Sequence, residues 1–324
     1  MISLLNHIKK ENLASFEKRY YREMIIPSGG KNTKNRYDSL KKLSFKSYSP
    51  DEISFVNVLR RFYKKVILGR PIVLQRFVEY SEAIGFAGFS KNYKKDLKLA
   101  FGYKPLRNGY IGQNLAKFLD IKACPYCNAQ YTLQTKSGLK ILHDFDHYFP
   151  HEKYPFLSVS LFNLIPSCRN CNGAKNDKES RLDSSFNPYS NESVSDNFNF
   201  KLSDIFIIKR YLTGDRNVDI ETKINPNASK KLRDKVEKHL LDYSILDLFK
   251  RHSDHAEELL WKYYIYDKNK RETLLNFEKN GKRIFSSKED LERFIVGNYT
   301  SSKDQLKRPL AKFQTDIAKQ LKLI

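Results

Sequence analysis

The chain holds four cysteines, and they fall as two pairs: Cys124-Pro125-Tyr126-Cys127 and, forty residues on, Cys168-Arg169-Asn170-Cys171. Paired C-x2-C knuckles can close four thiolates around one zinc ion, each tight turn giving two sulfurs. Disulfides are the competing use. A reducing cytoplasm disfavours them, two cysteines inside one knuckle bridge poorly, and a redox C-x2-C accounts for one pair and not two. A zinc ion on Cys124, Cys127, Cys168 and Cys171 would be structural, because four cysteines leave no open position for water or substrate. Such a site also occurs in proteins that only bind or only hold a fold together, so the segment between the knuckles has to discriminate.

That segment reads Tyr131-Thr132-Leu133-Gln134, a Lys136-Ser137-Gly138 turn, and then Leu139 through His143, Asp144, Phe145, Asp146 and His147 to Pro150. It predicts a β-hairpin whose second strand ends in Asp146 and His147. After a loop come Phe162-Asn163-Leu164-Ile165-Pro166-Ser167, then the second knuckle, then Asn172 to Lys178 opening a helix. Hairpin, loop and helix would form a ββα unit tied together by the zinc. Taken singly, each polar residue has an ordinary reading: Asp146 as a cap or surface pair, His147 as a satisfied core histidine, Asn163 and Asn172 as turn residues.

Taken in order, Asp146-His147, Pro150, Asn163-Leu164, Pro166, Cys168, Cys171-Asn172 and Lys175 resemble the signature of HNH (ββα-metal) endonucleases in their zinc-bound form. The resemblance implies Asp146 as ligand of a catalytic divalent metal, His147 as general base, Asn163 as the residue that orients it, and Asn172 as second metal ligand. Asn163 and Asn172 stand nine positions apart, as that family requires, and the last letter is Asn where His also occurs. Asp146 to Pro150, Lys153-Tyr154-Pro155 and Asn187-Pro188-Tyr189 are further similar to HNH proteins of bacterial anti-phage operons, including the nuclease subunit of Septu-type systems. That implies an ATPase partner of the ABC or OLD kind.

The chemistry is coherent on its own terms. Phosphodiester hydrolysis needs a group to take a proton from water and positive charge where the leaving oxygen gains negative charge. An imidazole such as that of His147 titrates near neutrality and can take the proton. Oxygens of Asp146 and Asn172 suit a hard cation, Mg²⁺ or Mn²⁺. Lys175, one helical turn past Asn172, would share its face and could meet a phosphate oxygen. His143 and Asp144 could support the site from outside the motif, and His151 reads as a solvated or phosphate-contacting loop residue.

The elements around this segment are mainly helical. Ser49, Pro50 and Glu52 form a capping signature, and Ile53, Val56, Leu59, Phe62, Tyr63 and Val66 share one face of a helix expected to end at Gly69. Its other face carries Arg60, Arg61, Lys64 and Lys65, an ordinary solvated face before it is a phosphate-binding stripe. Residues 27–35 read as a loop, 197–209 as one or two strands, 229–249 and 253–266 as helices, and 309–323 as a short amphipathic helix. The expected fold is α+β, with three regions: a basic helical region over 1–110, a nuclease module over 111–190, and a mainly helical region over 191–324 for docking a partner or nucleic acid.

Lys and Arg number 59 against 37 Asp and Glu in 324 residues, a net charge of +22. The excess is spread along the chain, which favours a folded basic surface that binds a phosphate backbone over a basic tail. The hydrophobic fraction, 40%, can fill a core, and no apolar run reaches membrane-spanning length. The N-terminus turns charged at Lys9 and Lys10 before a signal region develops. A cytoplasmic location is expected, with DNA as the first substrate. The same phosphate chemistry would serve an RNase, and a zinc-stabilised nucleic-acid-binding scaffold with an inactive site is the rival from another class.

Overall fold

The chain is described from a computed structural model over residues 2–8, 10–26, 35–176, 178, 180–190, 192–203 and 218–324. The expected loop at 27–35 lies outside the described residues except for Asn35, as does the stretch 204–209 of the expected strands. The result is a helix-rich α+β architecture with small two-stranded sheets. Among the described residues no helix is long and apolar enough to cross a membrane.

Contacts gather the chain into two compact units, Ser3–Asp120 with Thr132–Glu192, and Met1–Ile2 with Ile121–Tyr131 and Ser193–Ile324. This grouping differs from consecutive regions at 1–110, 111–190 and 191–324. Backbone pairing is the reason: Lys122 and Ala123 both donate to the Leu306 carbonyl, and Asn128 Nδ2 donates to that of Gln305. These bonds tie 121–131 to the C-terminal part.

The first unit begins with helices α1 (Lys10–Ile25), α2 (Arg36–Leu43), α3 (Pro50–Arg61), α4 (Tyr63–Leu68), α5 (Pro71–Ala83), α6 (Lys91–Phe101), α7 (Tyr103–Asn108) and α8 (Tyr110–Leu119). The capping box at Ser49 is formed, with Ser49 Oγ accepting from Glu52 N and Glu52 Oε2 accepting from Ser49 N. The helix expected to run on to Gly69 is instead two, because Phe62 leaves the helical region (φ −106°, ψ 21°) between α3 and α4. Phe55, Tyr63, Tyr93, Phe101 and Phe156 are among the side chains that fill the core.

This helical layer fixes the loop that follows the site strand. Phe156 packs edge-on against Phe55 at 5.2 Å, Tyr20 donates to the Val159 carbonyl at 2.9 Å, and Ser160 Oγ donates to that of Val66. Three anchors within five residues leave 156–160 little freedom.

In the second unit β3 (Phe198–Leu202) pairs antiparallel with β4 (Ile220–Ile224). The helix expected over 229–249 is again two, α10 (Lys230–Asp242) and α11 (Ile245–Lys250), since Ser244 takes a left-handed conformation (φ 47°). There follow α12 (Ser253–Ile265), α13 (Lys268–Leu275), the short hairpin β5 (Glu278–Lys279) with β6 (Lys282–Arg283), α14 (Lys288–Val296) and α15 (Ala311–Gln320). The last helix falls where the short amphipathic helix over 309–323 is expected, and it is largely buried. Seven of its residues, Lys312 included, are buried. Pairing explains how polar ones tolerate this: Lys312 bonds Asp316 at 2.7 Å, and Asp316 Oδ2 accepts from Phe200 N on β3.

Candidate active site

The site strand, β1 (Asp144–His147), does not find its main partner in the hairpin expected at 131–147. Leu133 and Leu142 do pair, Thr135 and Lys140 do close a turn, and Gly138 takes φ 75° there. Beyond Leu142, however, the chain leaves that ladder. β1 pairs antiparallel with β2 (Leu164–Ser167), in the register Asp144↔Ser167, Asp146↔Ile165, His147↔Leu164. Leu164–Ser167, a stretch whose pattern predicts no element, supplies this strand, with all four of its residues buried, Leu164 and Ile165 completely.

The helix after β2, α9 (Arg169–Lys175), begins earlier than Asn172. Cys168 is its N-cap and accepts from Cys171 N at 3.4 Å, so the second knuckle is itself the first helical turn. Asn172 and Lys175 then sit three residues apart on one face, while Asp144 and Asp146, two apart on a strand, share one face of β1. Strand and helix meet as two rungs. Asn172 Nδ2 lies 3.4 Å from Asp144 Oδ2, and Lys175 Nζ lies 3.1 Å from Asp146 Oδ1.

Lys175 is turned inward. Its side chain is 5% exposed and that of Asp146 4%, and the ammonium also donates to the backbone carbonyl of His147. The position that the sequence offered to a phosphate is thus a buried counter-charge for Asp146. Asp144 accepts from Arg107 at 3.1 Å, and the same guanidinium nitrogen donates to the His143 carbonyl.

His147 closes the strand on the opposite face. Its Nε2 lies 2.9 Å from the Ser158 carbonyl, the Tyr103 ring meets it edge-on at 4.3 Å, and the His151 ring stacks at 4.4 Å. A carbonyl oxygen only accepts, so Nε2 carries the proton and Nδ1 is the basic nitrogen. Burial is the main reason its pKa falls to about 3, with His151 and Lys175 adding to the fall and the Ser158 bond opposing it. The imidazole is therefore neutral at pH 7, but so low a pKa makes it a weak base while it is buried, and taking a proton from water calls for a more hydrated site.

Asn163 is fully buried and acts on the loop. Its Oδ1 accepts from Phe149 N at 2.7 Å, and its Nδ2 donates to the carbonyls of Phe149 (3.1 Å) and Leu157 (2.9 Å). It therefore pins the residue next to Ser158, and the Ser158 carbonyl in turn pins His147. His143, on the other side of Asp144, is also buried; its Nδ1 bonds the Leu133 carbonyl at 3.2 Å and its ring packs on Phe145.

Three contributors carry no sequence signal: Tyr103, Arg107 and the Ser158 carbonyl. Tyr103 and Arg107 lie in a region whose spacing reads only as helix. Ser158 acts through a backbone oxygen that any residue would supply.

All four cysteines are buried. Cys127 Sγ accepts from Ala129 N at 3.4 Å, and an N–H donated to sulfur favours the thiolate that a metal requires. The four sulfurs lie within 4.8 Å of one another and could hold a zinc ion.

Comparison with known proteins gives a partial match. No family model matches the chain, and no solved structure matches it. A Septu protein, PtuB, of Bacillus thuringiensis is 34% identical over 65 residues, which are 20% of this chain and 23% of that protein. The chain thus spans under a quarter of the length of that relative.

Proposed function

We propose that the chain is a metal-dependent endonuclease of the HNH kind, hydrolysing phosphodiester bonds of nucleic acid, DNA first, with His147 Nδ1 as general base. The observation that carries this reading is the juxtaposition on one strand–strand–helix unit of a neutral, carbonyl-held His147 with oxygen-bearing Asp146, Asp144 and Asn172. Asp146 and Asn172 suit a hard divalent cation, Mg²⁺ or Mn²⁺, which when bound would supply positive charge at the leaving oxygen. Asn163 and Ser158 would keep the imidazole aimed, and Lys175 would balance Asp146 while the cation is absent. The four cysteines would hold a structural zinc.

The likeness to a Septu protein supports a place in anti-phage defence. The burial of His147 and the pairing of Asp146 favour a restrained enzyme, slow alone and faster once a partner opens the site. An ATPase of the ABC or OLD kind is the partner proposed. An RNase using the same site is the second substrate reading, since these residues address phosphate rather than sugar or base.

The test is cleavage of plasmid DNA and total RNA by purified protein with Mg²⁺ or Mn²⁺, beside His147→Ala. Cleavage lost in the variant supports the reading. Equal cleavage by both proteins contradicts it.

A further inference from the structure

A cleft of about 750 Å³ opens beside the three residues that surround the His147 ring: Tyr103, His151 and Ser158 all line it. The remaining wall is largely apolar, with Leu99, Tyr110 and Ile111 among its residues. Tyr110 is 52% exposed and Leu99 56%. Four cations, Arg36, Lys95, Lys98 and Lys104, line it against two acids, Glu23 and Glu152.

These cations divide by position. Arg36 is buried and spent on the carbonyls of Phe101 and Gly102, and Lys98 bonds Glu152. Lys95 and Lys104 are exposed. The Ser158 hydroxyl is buried and has no hydrogen-bond partner among the described residues.

The volume is that of a small-ligand site, roughly 300–1,000 Å³. An aromatic, largely apolar lining suits the π-face of a base, and exposed lysines suit a phosphate chain. A base can enter such a cleft only when it is out of the duplex stack. We propose that this cleft receives an unpaired nucleotide of the substrate strand, its base against Tyr110 and its backbone phosphates on Lys95 and Lys104. The proposal rests on His147 being the base of a nuclease, since it places the strand beside that ring. It makes the enzyme selective for single-stranded or locally opened nucleic acid.

The experiment is binding of a short fluorescent single strand and of the same sequence as a duplex to the full chain, without added divalent cation so that nothing is cleaved. The expected result is tighter binding of the single strand, weakened about ten-fold by Tyr110→Ala, with a shallower salt dependence in Lys104→Ala. Ser158→Ala breaks no side-chain bond of the protein and keeps the carbonyl that holds His147. It should weaken binding while leaving the melting temperature unchanged. Equal affinity for duplex and single strand, or binding indifferent to both Tyr110→Ala and Ser158→Ala, overturns the proposal. If duplex cleavage dependent on His147 persists in that case, the nuclease reading stands alone. If strand-selective binding is found without such cleavage, the nuclease reading fails instead.

Discussion

The ammonium of Lys175 sits 3.1 Å from Asp146 Oδ1, with both side chains almost wholly withdrawn from water. Removing one partner of such a pair leaves the other charge buried and unmatched, at a cost of about 3–5 kcal/mol. Lys175→Met is therefore expected to lower stability by that order in denaturant unfolding. If Asp146 is a metal ligand, added Mg²⁺ should recover more stability in the variant than it adds to the wild type. A variant as stable as wild type, or one indifferent to Mg²⁺, contradicts the role given to this pair.

Asn163 spends its amide on three bonds to the loop at Phe149 and Leu157. Buried bonds of this kind contribute about 1 kcal/mol each, and the groups left behind cost more. Asn163→Ala is expected to lose roughly 3 kcal/mol of stability and to lower the cleavage rate, because the Ser158 carbonyl that aims His147 moves with the loop. Tm and single-turnover rate together check this. A stable variant with full activity rules out the positioning role.

Four buried thiols in one cluster predict one zinc per chain, measured by elemental analysis of protein purified without added metal. Cys168→Ser keeps a side chain able to cap α9 but should lose the zinc, and with it the stability of the region that carries Asn172 and Lys175. A folded protein with intact cysteines and no bound metal would contradict the zinc assignment.

Burial lowers the pKa of His143 below its ordinary value, with Asp144 and the Leu133 bond opposing and Arg107 adding to the fall. The unfolded chain then binds a proton near pH 6.5 that the folded chain refuses, so stability rises with pH through this window and is lost as pH falls below it. Melting temperature is expected to decline from pH 7.5 toward pH 5, and the decline should be shallower in His143→Leu. Parallel curves for the two proteins would contradict the assignment.

What the sequence discloses and what it hides separate along physical lines. Cysteine spacing and the Ser49 capping box are legible because side-chain type at short range decides them. The partner of β1 is not: Leu164 to Ser167, with a proline inside and no alternation, carries no strand signal, and only burial on both faces makes it one. The inward turn of Lys175 is equally hidden, since spacing puts it on the face of Asn172 but not against a carboxylate. His147 is held by a backbone oxygen and a tyrosine from a helix more than forty residues earlier, neither of which any motif records.

The most direct measurement is nicking of supercoiled plasmid by wild type and His147→Ala in Mn²⁺, with both proteins shown to be folded and zinc-loaded. The account predicts nicking by the wild type and a loss of at least about a hundred-fold in the variant. Nicking at the same rate by both would contradict it.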